Sequence, residues 1–263
     1  MLHKLILLEW MKVRKYKAFW AMLGLFVLGF FGLVYIVYSI KYEAPGEMVA
    51  RFLDNFFSYP KIGQLAGYLG SYMFLILGAI LITQITNEYG YRTHRQNVID
   101  GLSRTQFINA KWQVAILLSI FATLVHILFT ALFALMGDGG TISGFAASLK
   151  YSAFFFLDSL SWLGVALIIS CWIKRSGLSI VIFMVYALII ENLLTYLIKS
   201  STESPLGEYF PINIADNLNP NILVPFINSD GRPSEEVAVI ITCIYLVGFY
   251  FLSRRMVNRI DLK

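Results

Sequence analysis

Charge is what this sequence has least of. Only 14% of its 263 residues are Asp, Glu, Lys or Arg, against roughly 25% in soluble domains. That scarcity excludes an ordinary water-soluble fold. The three histidines are scattered without ligand spacing, which excludes a histidine-built metal centre. The two cysteines, Cys171 and Cys243, fall inside apolar runs, where buried thiols fit better than a disulfide or a metal site. There is no GxxxxGK[ST] phosphate loop, no HExxH and no GxSxG. The chain therefore carries no recognisable means of binding ATP or of cleaving a bond.

What is present is apolar. The sequence is 58% hydrophobic with a mean hydropathy of +0.68. Runs of about 20 apolar residues recur, enough to cross a hydrocarbon core about 30 Å thick. The expected fold class is an all-α integral membrane protein, a single helical domain over residues 1–263. The six expected spans are Ala18–Ile40, Ala66–Thr86, Lys111–Met136, Tyr151–Ile173, Gly177–Ile198 and Val237–Ser253. A sequence pI of about 9.1 would suggest nucleic acid in a soluble protein. Here the distribution of basic residues explains it without a nucleic-acid partner. The N-terminal tail holds Lys4, Lys12, Arg14, Lys15 and Lys17. The second-to-third connection holds Arg92, Arg95, Arg104 and Lys111, the fourth-to-fifth Lys174 and Arg175, and the C-terminal tail Arg254, Arg255, Arg259 and Lys263. Most of the 21 basic residues thus fall on one face, which places both termini in the cytoplasm. The first span is too long for a signal-peptide core and is read as retained.

The connections carry their own structure. Residues 1–17 read as a helix lying in the cytoplasmic interface. Leu2, Ile6, Trp10, Val13 and Tyr16 share one side, Lys4, Lys12, Arg14 and Lys15 the other, and Glu9 falls on the apolar side. Residues 87–110 are far longer than a turn needs. Thr93–Asp100 can form two helical turns with Val98, Ile99 and Leu102 as apolar residues, and Gly101 suits a helix end. Ser103 with Gln106 has the spacing of a capping box, and Leu102 with Phe107 that of a hydrophobic staple. An amphipathic turn on anionic lipid is the bland alternative. Pro45–Pro60 offers Met48, Val49, Phe52, Leu53, Phe56 and Phe57 at helical spacing, as an amphipathic helix on the opposite surface. Residues 199–236 are cut by Pro205, Pro211, Pro220 and Pro225, yet are too apolar for a free loop. Short half-buried helices entering the outer leaflet fit them.

Three polar residues stand out in the spans. Asp158 lies near the outward start of the fourth and Glu191 near the outward end of the fifth, with His126 in the third. A carboxylate at the centre of a membrane helix costs roughly 3 kcal/mol to insert, so each should face protein or water. Either the two carboxylates line a polar path or form a proton-sensitive pair, or they hydrogen-bond to His126, Gln113 or hydroxyls of the fifth span, or the helix ends are shorter than drawn. His126 alone is more often a satisfied core histidine.

The interfacial helix, six spans, a folded element between spans two and three and a broken segment between spans five and six resemble the ABC-2 type permeases, membrane subunits of bacterial ABC exporters. The stretch NEYGYRTHRQNVIDGLSRTQFINAKW is similar to the family's loop pattern at Glu88, Gly90, Thr93, Arg95, Ser103, Arg104 and Lys111, with Tyr91 interrupting the usual Gly-Thr adjacency. The resemblance implies a coupling helix that presents Val98, Ile99 and Leu102, rimmed by Arg92, Arg95 and Arg104, to a separate ATPase subunit. It further implies a second permease copy, ATP and Mg held by the partner rather than by this chain, contact with membrane lipid, and a place in the bacterial inner membrane. Asp158, Glu191 and His126 would be candidates for the translocation path. Two competitors remain. A proton-coupled secondary transporter using Asp158 and Glu191 should show an internal repeat, and the long connections of the two halves do not match in position. A membrane-embedded enzyme should show a catalytic constellation, and a lone His126 supplies none.

Overall fold

Apolar residues three and four apart put one buried stripe on each helix. Along Lys17–Glu43 (α2) that stripe is Phe26, Phe30 and Val34. Along Arg104–Met136 (α5) it runs through Ala115, Leu118, Ala122, Val125, Phe129 and Phe133. The computed structural model describes residues 2–43, 53, 56–91, 103–137, 142–223 and 231–258, and among them every regular element is helical. The others are Leu2–Val13 (α1), Lys61–Ser71 (α3), Phe74–Gly90 (α4), Ile142–Ile173 (α6), Ser176–Val185 (α7), Glu191–Thr202 (α8), Pro211–Asp216 (α9) and Glu235–Asn258 (α10). A π turn, Tyr186–Ile190, joins α7 to α8 in one continuous rod.

Five helices are long and apolar enough to cross a membrane: α2, α5, α6, the α7–α8 rod and α10. α3 and α4 together pass the same test as a pair, bent by 47° at Tyr72–Met73, which makes up to six. The bend has a local cause. The Ser71 hydroxyl donates to the Tyr68 carbonyl at 2.8 Å and competes with the helix ladder. Just before it, Gly70 has no Cβ, and Phe30 and Phe155 pack into that space. The expected spans are all present, and most helices run past the expected ends.

The fourth span, α6, is the centre. It is apolar almost all round and packs against α3, α4, α5, α9 and α10. Phe30, Phe74, Phe133, Phe155 and Phe183 fill the space around it. At its end Lys174 adopts φ +59°, and its N–H bonds back to the Ser170 carbonyl at 3.0 Å, a left-handed stop that lets α7 begin at once. The Ser103 capping box is formed: Ser103 Oγ accepts from the Gln106 N–H at 3.2 Å, and Gln106 Oε1 accepts from the Ser103 N–H at 2.7 Å.

The segment between spans five and six forms short helices, as its prolines suggest. A 3-10 turn, Pro205–Tyr209, and α9 each start on a proline, where a missing N–H costs nothing. Ile212, Ile214, Ala215 and Leu218 are buried against α6 and α10. The amphipathic helix expected within 45–60 falls mostly outside the described residues. Of its residues, Leu53, Phe56 and Phe57 are buried in the core.

Candidate functional site

The N-terminal helix buries a different stripe from the one its wheel suggests. Leu5, Glu9 and Val13 face inward, while Trp10 and Tyr16 are exposed along with Leu7, Leu8 and Met11. Glu9 is the reason. Lys111 of α5, wholly buried, places its ammonium 2.7 Å from Glu9 Oε2 and also pairs with Glu88 Oε1 at the end of α4. Lys12 closes the group from the solvent side, 2.7 Å from Glu9 Oε1 and 2.9 Å from Glu88 Oε1. Two carboxylates and two ammoniums thus join α1, α4 and α5. Burial alone would raise the Glu9 pKa. The ammoniums of Lys111 and Lys12 outweigh that and hold it below the ordinary 4.5.

Glu88 and Lys111 are the two roots of the connection that contains residues 92–102. The cluster therefore fixes where that connection leaves and re-enters the helical body, and pins α1 to the same point. A desolvated ion pair is weak evidence for net stability, but it selects one geometry strongly. Lys111, counted on the sequence as a surface charge, is instead an interior one, because α5 starts seven residues before the expected span and carries it inward.

The sequence-predicted site residues fall into separate places. Arg92, Arg95, Val98, Ile99 and Leu102 lie outside the described residues. Arg104, at the first position of α5, donates from Nη1 to the Asn258 carbonyl at 2.6 Å and so ties off the end of α10. His126 is held on both ring nitrogens: Nε2 donates to the Gly63 carbonyl at 2.9 Å, and Nδ1 pairs with the Ser152 hydroxyl at 3.2 Å. It stacks on Phe155 with centroids 4.7 Å apart. Glu191 follows the π turn and is buried. Its Oε1 accepts from the backbone N–H groups of Ile212 and Asn213, both at 2.7 Å, so it caps α9 from another helix. Asp158 is buried midway along α6, because that helix begins at Ile142 rather than Tyr151. Its carboxyl faces that of Asp216 at the end of α9, not His126, Gln113 or the fifth span. Asp216 Oδ1 accepts from Trp162 Nε1 at 2.8 Å. Among the described residues no Lys or Arg forms a salt bridge with Asp158, Glu191 or Asp216.

The helical body and its loop architecture can be set beside known proteins. The model of the ABC-2 family transporter proteins matches residues 5–190. The chain belongs to that family. No curated protein matches it. As an ABC-2 family member it is a multi-pass membrane permease of an ABC transporter, a transport component that is not itself catalytic, in a family that normally works with an ABC ATPase subunit. The match contains the whole Glu9–Lys12–Glu88–Lys111 cluster and stops where the π turn ends. The segment with α9, and the sixth span, lie beyond it.

Sequence reasoning missed the cluster as a unit and missed Asp216. The signal for the first was partly legible: a glutamate on the apolar face of an amphipathic helix needs a buried cation, and Lys111 stands at the edge of an apolar run. Nothing in the sequence marks Asp216, because its importance comes only from the packing of α9 on α6.

Proposed function

We propose that this permease exports its substrate, driven by ATP hydrolysed on a separate nucleotide-binding subunit, with ATP and Mg held there and no cofactor on this chain. It sits in the bacterial inner membrane with both termini cytoplasmic, touches lipid through its exposed helix faces, and pairs with a second permease copy. The connection between Glu88 and Lys111 serves as the coupling element. Val98, Ile99 and Leu102 supply its apolar knob, and Arg92, Arg95 and Arg104 its rim.

The observation that carries this reading is the position of the buried ion cluster. A handle transmits force only if its roots are held. Here both roots, and the N-terminal helix, are tied to one another by ion pairs in an apolar interior. Three buried apolar side chains contribute several kcal/mol to a docking contact at about 25 cal/mol per Å², before association costs. The arginines add specificity more than affinity.

The test is Ile99→Asp in tagged permease, scored by the ATPase recovered with it in detergent and by transport in membranes. The expected outcome is a folded permease with reduced ATPase recovery, or with hydrolysis uncoupled from transport. A lipid-surface helix would instead keep its partner. Normal recovery together with normal transport would remove the coupling assignment.

A further inference from the structure

Beside the ion cluster, α1, α2, α4 and α5 leave a groove of about 430 Å³ between them. That is the size of a small-molecule site, roughly 300–1,000 Å³. Trp10 and Val13 of α1, Trp20 and Leu23 of α2, and Val114 and Phe121 of α5 line it. Apart from Glu9, Gln84 and Gln113, every described residue along it is apolar. Glu9 is already engaged by Lys12 and Lys111, and both amide atoms of Gln84, with Gln113 Oε1, are covered by protein. An occupant therefore meets mostly hydrocarbon and indole. Both α2 and α5 are spans, and Leu7, Trp10, Trp20 and Leu117 along the groove stand exposed. The groove thus opens sideways, toward the bilayer.

One border of the groove is charged. Val13 and Phe19 both line it, and between them the chain turns the corner from α1 to α2 through Arg14, Lys15, Tyr16 and Lys17. Trp20 Nε1 donates to the Arg14 carbonyl at 3.1 Å, and Trp10 meets Trp20 edge-on with centroids 6.0 Å apart, so the corner has a defined shape. Arg14, Lys15 and Lys17 are exposed, and none of them forms a salt bridge among the described residues. Cations without a counter-charge beside an apolar groove match an amphiphile with an anionic head and a hydrocarbon tail. The two tryptophans suit the same place, since their amphipathic rings favour the level of lipid headgroups. An uncharged apolar ligand would leave the cations unanswered, and a free anion would leave the groove empty.

We propose that this groove holds one acyl chain of an anionic phospholipid, with its phosphate against Arg14, Lys15 and Lys17. The binding does not rest on the exporter reading; its consequence for coupling does. Helix α1 also carries Glu9 and Lys12 of the cluster that ties both roots of the coupling connection. A lipid seated along α1 therefore stiffens the support of that connection.

The experiment uses the full chain in phosphatidylcholine nanodiscs, into which phosphatidylglycerol brominated on its acyl chains is added in steps. Bromine quenches tryptophan only at close range, so Trp10 and Trp20 report the groove. Brominated phosphatidylcholine is the control without net charge. The expected result is half-maximal quenching at a mole fraction about tenfold lower for phosphatidylglycerol than for phosphatidylcholine. That selectivity should fall about fivefold in Arg14→Gln, and by a similar factor in Lys17→Gln, with the melting temperature unchanged. Val114→Phe narrows the groove and should reduce quenching while every charge stays. Trp10→Phe combined with Trp20→Phe should remove the selective quenching. Equal quenching by the two lipids, selectivity that survives Arg14→Gln and Lys17→Gln, or selective quenching that persists without Trp10 and Trp20 would each overturn the proposal. Unchanged quenching in a Val114→Phe protein of wild-type melting temperature would overturn it too, because surface charge alone would then attract the lipid. Inorganic phosphate at constant ionic strength should not compete; if it abolishes the selectivity, the cations serve a free anion and the proposal falls. Selective binding with no ATPase recovered from the same preparation supports the lipid site and removes only the exporter reading.

Discussion

At the end that carries the loop, two carboxylates meet two ammoniums inside the protein; at the other end, three carboxylates meet none among the described residues. Glu9 and Glu88 are answered by Lys12 and Lys111, charge for charge. Glu191 is answered by two backbone N–H groups, Asp216 by an indole N–H, and Asp158 only by another acid. The first arrangement fixes three helices against one another, each carboxylate meeting both ammoniums. The second leaves polar capacity unspent: Glu191 Oε2 and both oxygens of Asp158 lack a hydrogen-bond partner among the described residues. A closed set of charges suits a part that must hold its shape. An open set suits a part that meets something else or rearranges.

The largest expected effect breaks the closed end. Lys111→Met keeps volume and removes the one fully buried cation among the described residues, taking one ammonium from Glu9 and one from Glu88. Breaking a buried ion pair from one side costs about 3–5 kcal/mol. The variant should melt well below the wild type in detergent and release α1, read as faster hydrogen exchange over residues 5–13. A melting temperature within a degree or two of wild type would mean that the cluster is not what holds these helices. Adding Glu9→Gln and Glu88→Gln to Lys111→Met should recover much of the loss, because no buried carboxylate then lacks its cation and the Lys12 ammonium, 36% exposed, can turn to water.

At the open end the corresponding change is smaller. Glu191→Leu leaves the N–H groups of Ile212 and Asn213 without an acceptor, at about 1–3 kcal/mol for each buried group left unpaired. Glu191→Gln retains an acceptor oxygen and should cost less than Glu191→Leu, with the complex assembled. Equal loss in the two variants would show that the charge, not the cap, matters, and would move Glu191 from a structural to a transport role.

How far the sequence reached differs between the ends for physical reasons. Spans, capping box and the proline-started helices follow from local periodicity and turn chemistry, and all were legible. His126 read as a satisfied core histidine, and both its ring nitrogens have partners, Gly63 and Ser152, on helices packed beside it. The cluster was half legible: Glu9, Glu88 and Lys111 each drew notice, but only tertiary packing joins residues 102 positions apart. The π turn that turns Glu191 toward α9 left no mark at all, since its residues, YALII, are as apolar as the rest of the span.

A smaller effect still is expected from Asp158→Asn. The amide keeps the shape of a side chain that no cation stabilises and removes a costly buried charge. The complex should assemble and its melting temperature should hold or rise slightly. If transport then falls while ATP hydrolysis survives, Asp158 belongs to the path. If transport persists, it only packs against Asp216. Loss of assembly and hydrolysis together would reject both and point to an ion pair with a residue outside the described set.

The smallest effect is one of pH at the closed end. The Glu9 carboxyl is held below its ordinary value of 4.5 despite burial, because Lys111 and Lys12 favour its charged form. A carboxylate depressed on folding contributes stability that is fully present above the unfolded value and is lost as pH falls through the folded one. The attachment of α1 should therefore be indifferent to pH from 8 down to about 5, and weaken only below 4.5. Trp10 reports it, because it lies edge-on to Trp20 of α2 with centroids 6.0 Å apart. Its fluorescence should stay flat across the neutral range and change on further acidification. Glu9→Gln should reduce that change. A transition between pH 7 and 5 in the wild type would mean that Glu9 is not paired as described, and the contrast between a closed and an open end would fall with it.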